Sequence, residues 1–454
     1  MKRERISYVV SRIIIAVMII FMISIFIRMF TRVVLIDMFN IEGTIVDIVM
    51  FDRADLRISD KKLQSQNPNI NIDWAAEYPF EEGKQPVEGS AVENIQNPIL
   101  ERYKETVFSL EGMIEAYTSD NVIFHSKFIE IGSLYRSIID WNIYSPNEEK
   151  KYVVVSDDYI ISLIEKCETS EMVNFVADFQ NFLDSQDIPL VYVQTPAKIC
   201  KDDSIDGVAD FANESLDELI SDLEANHINC IDLRQMLHEE KKSHHEVFFD
   251  TDHHWRAETG LWAAKRTAEY LNEKTDILAD SDILSPENFT SEVYEDIFLG
   301  TKGKKISLSV VEPDDVTLLY PKKSVDMQIE VPEKGISKTG GFEIMYSLEN
   351  LEVKDYYYDD IYNVFMCGSS MSPVVHITNN SVENDYKILV ISDSFKTTYS
   401  PFLSLLYNKV DSIDLRTFTG SVETLIKKNG YDAVVVLYSE MSVLPMNANC
   451  FNFK

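Results

Sequence analysis

Lys387-Ile388-Leu389-Val390-Ile391-Ser392-Asp393-Ser394-Phe395 is the stretch that decides how this chain folds. Its run of four aliphatic residues is the kind that forms a central strand of a parallel sheet, buried on both faces. The polar group Ser392-Asp393-Ser394 sits where such a strand ends. In an open parallel sheet, sites form beyond the carboxyl ends of the strands. A serine placed there projects its hydroxyl above the sheet, and nearby backbone N–H groups can receive an oxyanion.

Upstream, helix and strand patterns alternate. Met172 to Asp184 is amphipathic at helical spacing and precedes the strand Pro189 to Val193. Asn213 to Asn226 repeats that helix pattern before the strand Asn229 to Leu233. Such alternation with short connections predicts an α/β layer with a mainly parallel sheet flanked by helices. Glu258 to Asn272 is another helix, with Leu261, Ala264, Ala268 and Leu271 on one face. Downstream, a helix is expected over Phe402 to Asn408, and strands over Ser412 to Leu415 and Asp432 to Tyr438. Residues 306–368, rich in Val, Tyr, Pro and charge, break the alternation and read as a β-rich insertion. Gly300-Thr301-Lys302-Gly303-Lys304-Lys305 lacks the spacing of a phosphate loop and reads as a solvated basic turn.

Composition narrows the function. A formal net charge of -33 excludes partners that need clustered Lys and Arg, such as nucleic acid or an anionic lipid surface. The five scattered cysteines form no C-x-x-C pair and read as free thiols. Lys2, Arg3 and Arg5 precede the apolar run Ile13 to Ile27, which extends from Tyr8 to Phe30 if Arg12 and Arg28 snorkel. This reads as an uncleaved signal anchor, a single transmembrane helix within residues 1–32 with a cytoplasmic N-terminus and an extracytoplasmic body. Residues 33–98 form a juxtamembrane segment and linker, irregular from Gln64 to Pro98, and residues 99–454 form the main domain.

The second informative stretch is Phe248-Phe249-Asp250-Thr251-Asp252-His253-His254-Trp255. Asp252 and His254 suit the orienting acid and general base of a hydrolase triad. Asp252, His253, His254, His244 and His245 are alternatively donors for a divalent metal, although no His-x-x-x-His spacing or cysteine partner accompanies them. Asp252 also reads as a helix cap, Trp255 as packing, and His253 as a surface histidine. Two residues apart in a turn, Asp252 can reach the near ring nitrogen of His254 while the far one faces Ser394.

Asp252-His253-His254-Trp255, with Ser392-Asp393-Ser394-Phe395 well downstream, resembles the DHHW proteins, relatives of the SGNH-like acetyltransferases that O-acetylate alginate. Val155 to Tyr159, Pro196-Ala197-Lys198, Phe298-Leu299-Gly300, Pro401-Phe402-Leu403 and Asp414-Leu415-Arg416 add secondary matches. The resemblance implies an SGNH-hydrolase-like fold, Ser394 as nucleophile, His254 as base, Asp252 as its orienter, and the Ser394 backbone N–H in the oxyanion hole. It implies no metal and no cofactor. Ser392 stands where many relatives have Gly. The implied activity is O-acyl transfer or ester hydrolysis on a cell-surface polysaccharide, with a membrane-bound O-acyltransferase as partner supplying acyl groups. The alternative is a non-catalytic surface protein that binds carbohydrate or assembles an acetylation complex.

Overall fold

The computed structural model describes residues 143–147, 150–154, 159–201, 210–444, 447 and 450–453. The expected anchor of residues 1–32, the segment 33–98 and the start of the expected main domain lie outside the described residues. Among those described, no helix is long and apolar enough to cross a membrane. In chain order the strands are β1 (Ile143–Asn147), β2 (Lys150–Val154), β3 (Ile160–Ser162), β4 (Leu190–Gln194), β5 (Asn229–Asp232), β6 (Phe289–Phe298), β7 (Asp314–Pro321), β8 (Met327–Val331), β9 (Ile336–Gly340), β10 (Val374–Asn379), β11 (Lys387–Ser392), β12 (Lys409–Ile413) and β13 (Ala433–Tyr438). The helices of two turns or more are α1 (Ser170–Asp184), α2 (Ala212–Ala225), α3 (Leu233–Glu240), α4 (Ala257–Lys274) and α5 (Val422–Asn429).

Eight strands form one sheet in the order β5-β4-β13-β11-β12-β10-β8-β9. The first five are mutually parallel, and β10, β8 and β9 join antiparallel. The sheet is therefore mixed rather than mainly parallel. β8 and β9, within the stretch expected to be an insertion, extend the main sheet, while β7 pairs with β6 as a separate ribbon. Its richness in Val, Tyr, Pro and charge marked this stretch as β-rich, but a strand's partner lies outside its own sequence. A third small sheet joins β1, β2 and β3.

The parallel half is covered on both faces, which explains its continuous apolar runs. Successive side chains point to opposite sides, so Ile388, Val390, Val435 and Leu437 enter one core with Leu261, Ala264 and Leu271 of α4. Leu389, Ile391, Val434 and Val436 enter the other with Val176 and Leu183 of α1, Leu219 of α2 and Ile426 of α5. The antiparallel half is different. On β8 and β10, Met327, Ile329, Val375 and Ile377 are buried while Gln328, Glu330, His376 and Thr378 are half-buried, the alternation of a sheet with one open face. The sequence expectation of a helix over Phe402 to Asn408 reduces to one turn, Ser400–Leu403.

Candidate active site

β11 ends at Ser392, and Ser394 opens a 3-10 turn running to Thr398. Asp393 organises that turn. Its carboxylate accepts from Phe395 N at 3.0 Å, from Ser439 N at 3.1 Å and from Ser439 Oγ at 2.6 Å, tying the turn to the end of β13. α4 packs directly against the same segment, since a Cβ at Gly260 would lie 1.9 Å from the Thr398 carbonyl oxygen. Ser392, standing where many relatives have Gly, has a fully buried hydroxyl without a hydrogen-bond partner among the described residues.

Asp252 and His254 arrive on a loop closed like a hairpin by an antiparallel bridge between Phe248 and Trp255. Phe249 N donates to His254 O, and Arg256 N to Val247 O. Within the loop Asp252 Oδ1 lies 2.6 Å from His254 Nδ1 and accepts from His254 N at 3.0 Å. A carboxylate at Nδ1 places the imidazole proton there and leaves Nε2 as an acceptor. His254 Nε2 lies 2.7 Å from Ser394 Oγ. Residues 140 positions apart in sequence thus meet at hydrogen-bond distance, and all three side chains are buried.

Several neighbours hold this geometry. The second oxygen of Asp252 accepts from Thr301 N at 2.6 Å and Thr301 Oγ1 at 2.8 Å. Burial disfavours the Asp252 carboxylate, but the His253 and His254 rings and the Thr301 N–H outweigh it and hold the acid well below its usual range. Gly300 is required, because a Cβ there would lie 2.4 Å from Asp252 Cβ. The segment expected to be a solvated basic turn is therefore a support for the acid. Lys302 in it is buried, with its ammonium unpartnered among the described residues, and burial lowers it to about 8.

Inside the loop, Lys198 Nζ donates to the carbonyls of Phe249 at 2.9 Å, Asp250 at 3.2 Å and Asp252 at 2.7 Å. On its other side, Asp314 accepts from Asp250 N, Thr251 N and Thr251 Oγ1, and pairs with Arg256 at 3.1 Å. Glu440, one residue beyond Ser439, accepts from Lys198 N at 3.0 Å. The end of β13 therefore connects the nucleophile turn, through Ser439, with the acid–base loop, through Glu440. Burial raises Glu440 to about 7, against the opposing pull of Lys302.

Aromatic rings fix the imidazole plane. Tyr362 stacks on His254 with centroids 3.9 Å apart and planes 13° apart, and its hydroxyl accepts from Thr397 Oγ1. Trp255 is fully buried and packs 5.1 Å from Phe395, so it serves the core. Asp252 does not cap a helix, because α4 begins after Arg256. His253 is half-buried against the His254 ring.

Asp252, His253 and His254 are the one group of possible metal donors among the described residues. His244 and His245 lie apart from it: His244 Nδ1 is 3.5 Å from Cys200 Sγ, and His245 Nδ1 is 2.7 Å from Asp250 Oδ1. Lys198 and the Phe298-Leu299-Gly300 support were visible in sequence only as secondary motif matches. Asp314 and Tyr362 carried no signal, since they fall in the stretch read as an insertion.

Residues 156–296 match the family model described as ALGX, the SGNH hydrolase-like domain of acetyltransferase AlgX. That span is similar to an SGNH hydrolase-like domain. The matched span includes Asp252 and His254, whereas Ser394 lies beyond it. Among solved structures, the chain is similar to Bacillus cereus PatB1, with 18% identity over 67% of this chain and 100% of that one at a TM-score of 0.54. PatB1 with a sulfonyl adduct matches at 18% identity, 67% and 98% coverage and a TM-score of 0.53. A DHHW family protein from Eubacterium siraeum matches at 17% identity, 68% and 96% coverage and a TM-score of 0.52. No curated protein sequence matches the chain.

Proposed function

We propose that this protein is a membrane-anchored, extracytoplasmic O-acyltransferase or esterase that acts on a cell-surface polysaccharide through Ser394, His254 and Asp252. The observation carrying this reading is the continuous contact from Asp252 through His254 to Ser394, at 2.6 Å and 2.7 Å. His254 Nε2 takes the Ser394 proton as Oγ attacks the acyl carbonyl, and Asp252 stabilises the resulting imidazolium. When the tetrahedral species collapses, His254 returns the proton to the departing alcohol and the acyl group stays on Ser394. A sugar hydroxyl or water then attacks, losing its proton to His254, and the acyl–serine bond breaks with return of the proton to Oγ. The Ser394 backbone N–H serves the oxyanion. The family description, an SGNH hydrolase-like acetyltransferase domain, supports acetyl as the group carried. The apolar run Ile13 to Ile27 behind Lys2, Arg3 and Arg5 supports the anchor and its orientation.

The test is hydrolysis of an aryl acetate by the full chain, together with labelling by a sulfonyl fluoride. Wild type should turn over and take one label, and Ser394→Ala and His254→Ala should lose at least about 10³-fold in rate. Equal rates from all three proteins would overturn the mechanism and leave a carbohydrate-binding role for the same fold.

A further inference from the structure

A cavity of about 420 Å³ opens on the uncovered face of the antiparallel half of the sheet. Its floor is two cross-strand rows. Glu330, His376 and Asp411 are direct neighbours on β8, β10 and β12, and Gln328, Thr378, Lys409 and Lys387 are neighbours on β8, β10, β12 and β11. Lys428 and Asn429 of α5, with Tyr431, form the wall. Lys387, Lys409 and Tyr431 stand at the amino-terminal ends of β11, β12 and β13, whereas Ser394 follows the carboxyl end of β11. The cavity is thus at the opposite end of the parallel strands from the candidate active site.

Its charges are unevenly satisfied. Buried Asp411 is already engaged, with Oδ1 2.8 Å from His376 Nδ1 and Oδ2 accepting from Tyr431 at 2.6 Å. Glu330 accepts from Gln328 at 2.7 Å. The lysines are not matched: Lys387 Nζ reaches the Asn429 carbonyl at 3.4 Å, and none of Lys387, Lys409 and Lys428 forms an ion pair among the described residues. Lys387 and Lys409 are direct neighbours on adjacent strands, an arrangement of like charge that destabilises a sheet. In a chain of 75 acidic and 42 basic residues, these three lysines gather around one cavity with no carboxylate partner among the described residues. His376 Nε2 completes the unengaged set, because Asp411 occupies only Nδ1.

We infer that this cavity binds an oxyanion, a carboxylate or phosphate, carried on a saccharide ring. The anion is argued from the lysines and His376. An adjoining cavity of about 330 Å³, sharing His376, Lys428 and Asn429 and lined also by Pro332, Glu333, Pro373, Val374 and Leu425, offers an apolar surface for the ring at Pro332, Pro373, Val374 and Leu425. That the anion is carried on a saccharide rests on the proposed function; the anion site does not.

Calorimetric titration of the full chain in detergent and low salt, with inorganic phosphate, glucuronate, glucose 6-phosphate and glucose, tests this. Wild type should bind the three anions saturably and glucose not at all. Lys409→Ala and Lys428→Ala should each weaken anion binding about tenfold, the scale of one charge-assisted hydrogen bond. Melting temperature should rise with phosphate in wild type and much less in either variant, which keeps the test valid if a variant is less stable. Ser394→Ala should bind as wild type does, so loss of the catalytic reading leaves this one standing. Binding of phosphate with no preference for either acidic sugar would overturn the saccharide. No saturable binding, or binding unchanged by both lysine substitutions, would overturn the site.

Discussion

The two ends of the parallel strands treat charge in opposite ways. Beyond the carboxyl ends, Asp252, Asp314 and Asp393 each accept at least three hydrogen bonds. At the amino ends, Lys387, Lys409 and Lys428 stand without a carboxylate partner among the described residues, around an open cavity. Saturated buried polar groups are rigid, because each loses several bonds if it moves. Unsaturated, accessible ones hold binding capacity for a ligand. The first arrangement suits chemistry that needs fixed atoms, and the second suits capture.

Three substitutions probe how far the rigid end depends on that saturation. Asp252→Asn should give the largest effect. It keeps the shape but presents His254 Nδ1 with an ambiguous partner, and acyl-ester turnover should fall about 10³- to 10⁴-fold. Rates across a pH series, with circular dichroism to verify folding, check it; a loss under tenfold would separate the acid from the chemistry. Lys198→Met should come next. Three loop carbonyls lose their shared donor, the imidazole shifts, and kcat should fall about 10²-fold, read beside sulfonyl labelling of Ser394. Unchanged kcat would make the clamp dispensable.

Glu440→Gln should have the smallest effect, on stability and with a defined pH dependence. The folded state raises Glu440 from 4.5 to about 7, so it favours the neutral acid. The cost of this residue is absent below about pH 4.5, grows as pH rises through 7, and is constant above that. Glutamine should therefore stabilise the protein on the order of 2 kcal/mol at pH 8, trimmed by the loss of a negative neighbour for Lys302, and have no effect near pH 4.5. Denaturant melts at the two pH values check the sign; greater stability for Glu440→Gln at pH 4.5 than at pH 8 would reverse it.

Most of the parallel half was legible from local pattern. The runs at 190–194, 387–392 and 433–438 are apolar because both faces are covered, and the helix before the first of them repeats at 3.6 residues. Ser394, His254 and Asp252 were legible from position and motif. Residues that act from a distance were not. Lys302 looked like a solvated basic residue because Gly, Thr and Lys are turn-like in composition. Only its packing against the Asp252 loop buries it. Asp314 and Tyr362 reach the site from a stretch whose own pattern says only that it is β-rich.

What the amino-acid order determined by itself was therefore periodic and local: which segments are strand or helix, which faces are apolar, and which motifs mark Ser394, His254 and Asp252 as candidate site residues. Tertiary structure alone decided the register that adds β8 and β9 to the main sheet, the meeting of His254 with Ser394, and the role of β13's end in linking their two loops. It also decided where three lysines gather. Secondary structure depends on neighbours along the chain, whereas strand pairing, burial and hydrogen-bond saturation depend on partners tens to hundreds of residues away, which no local pattern specifies.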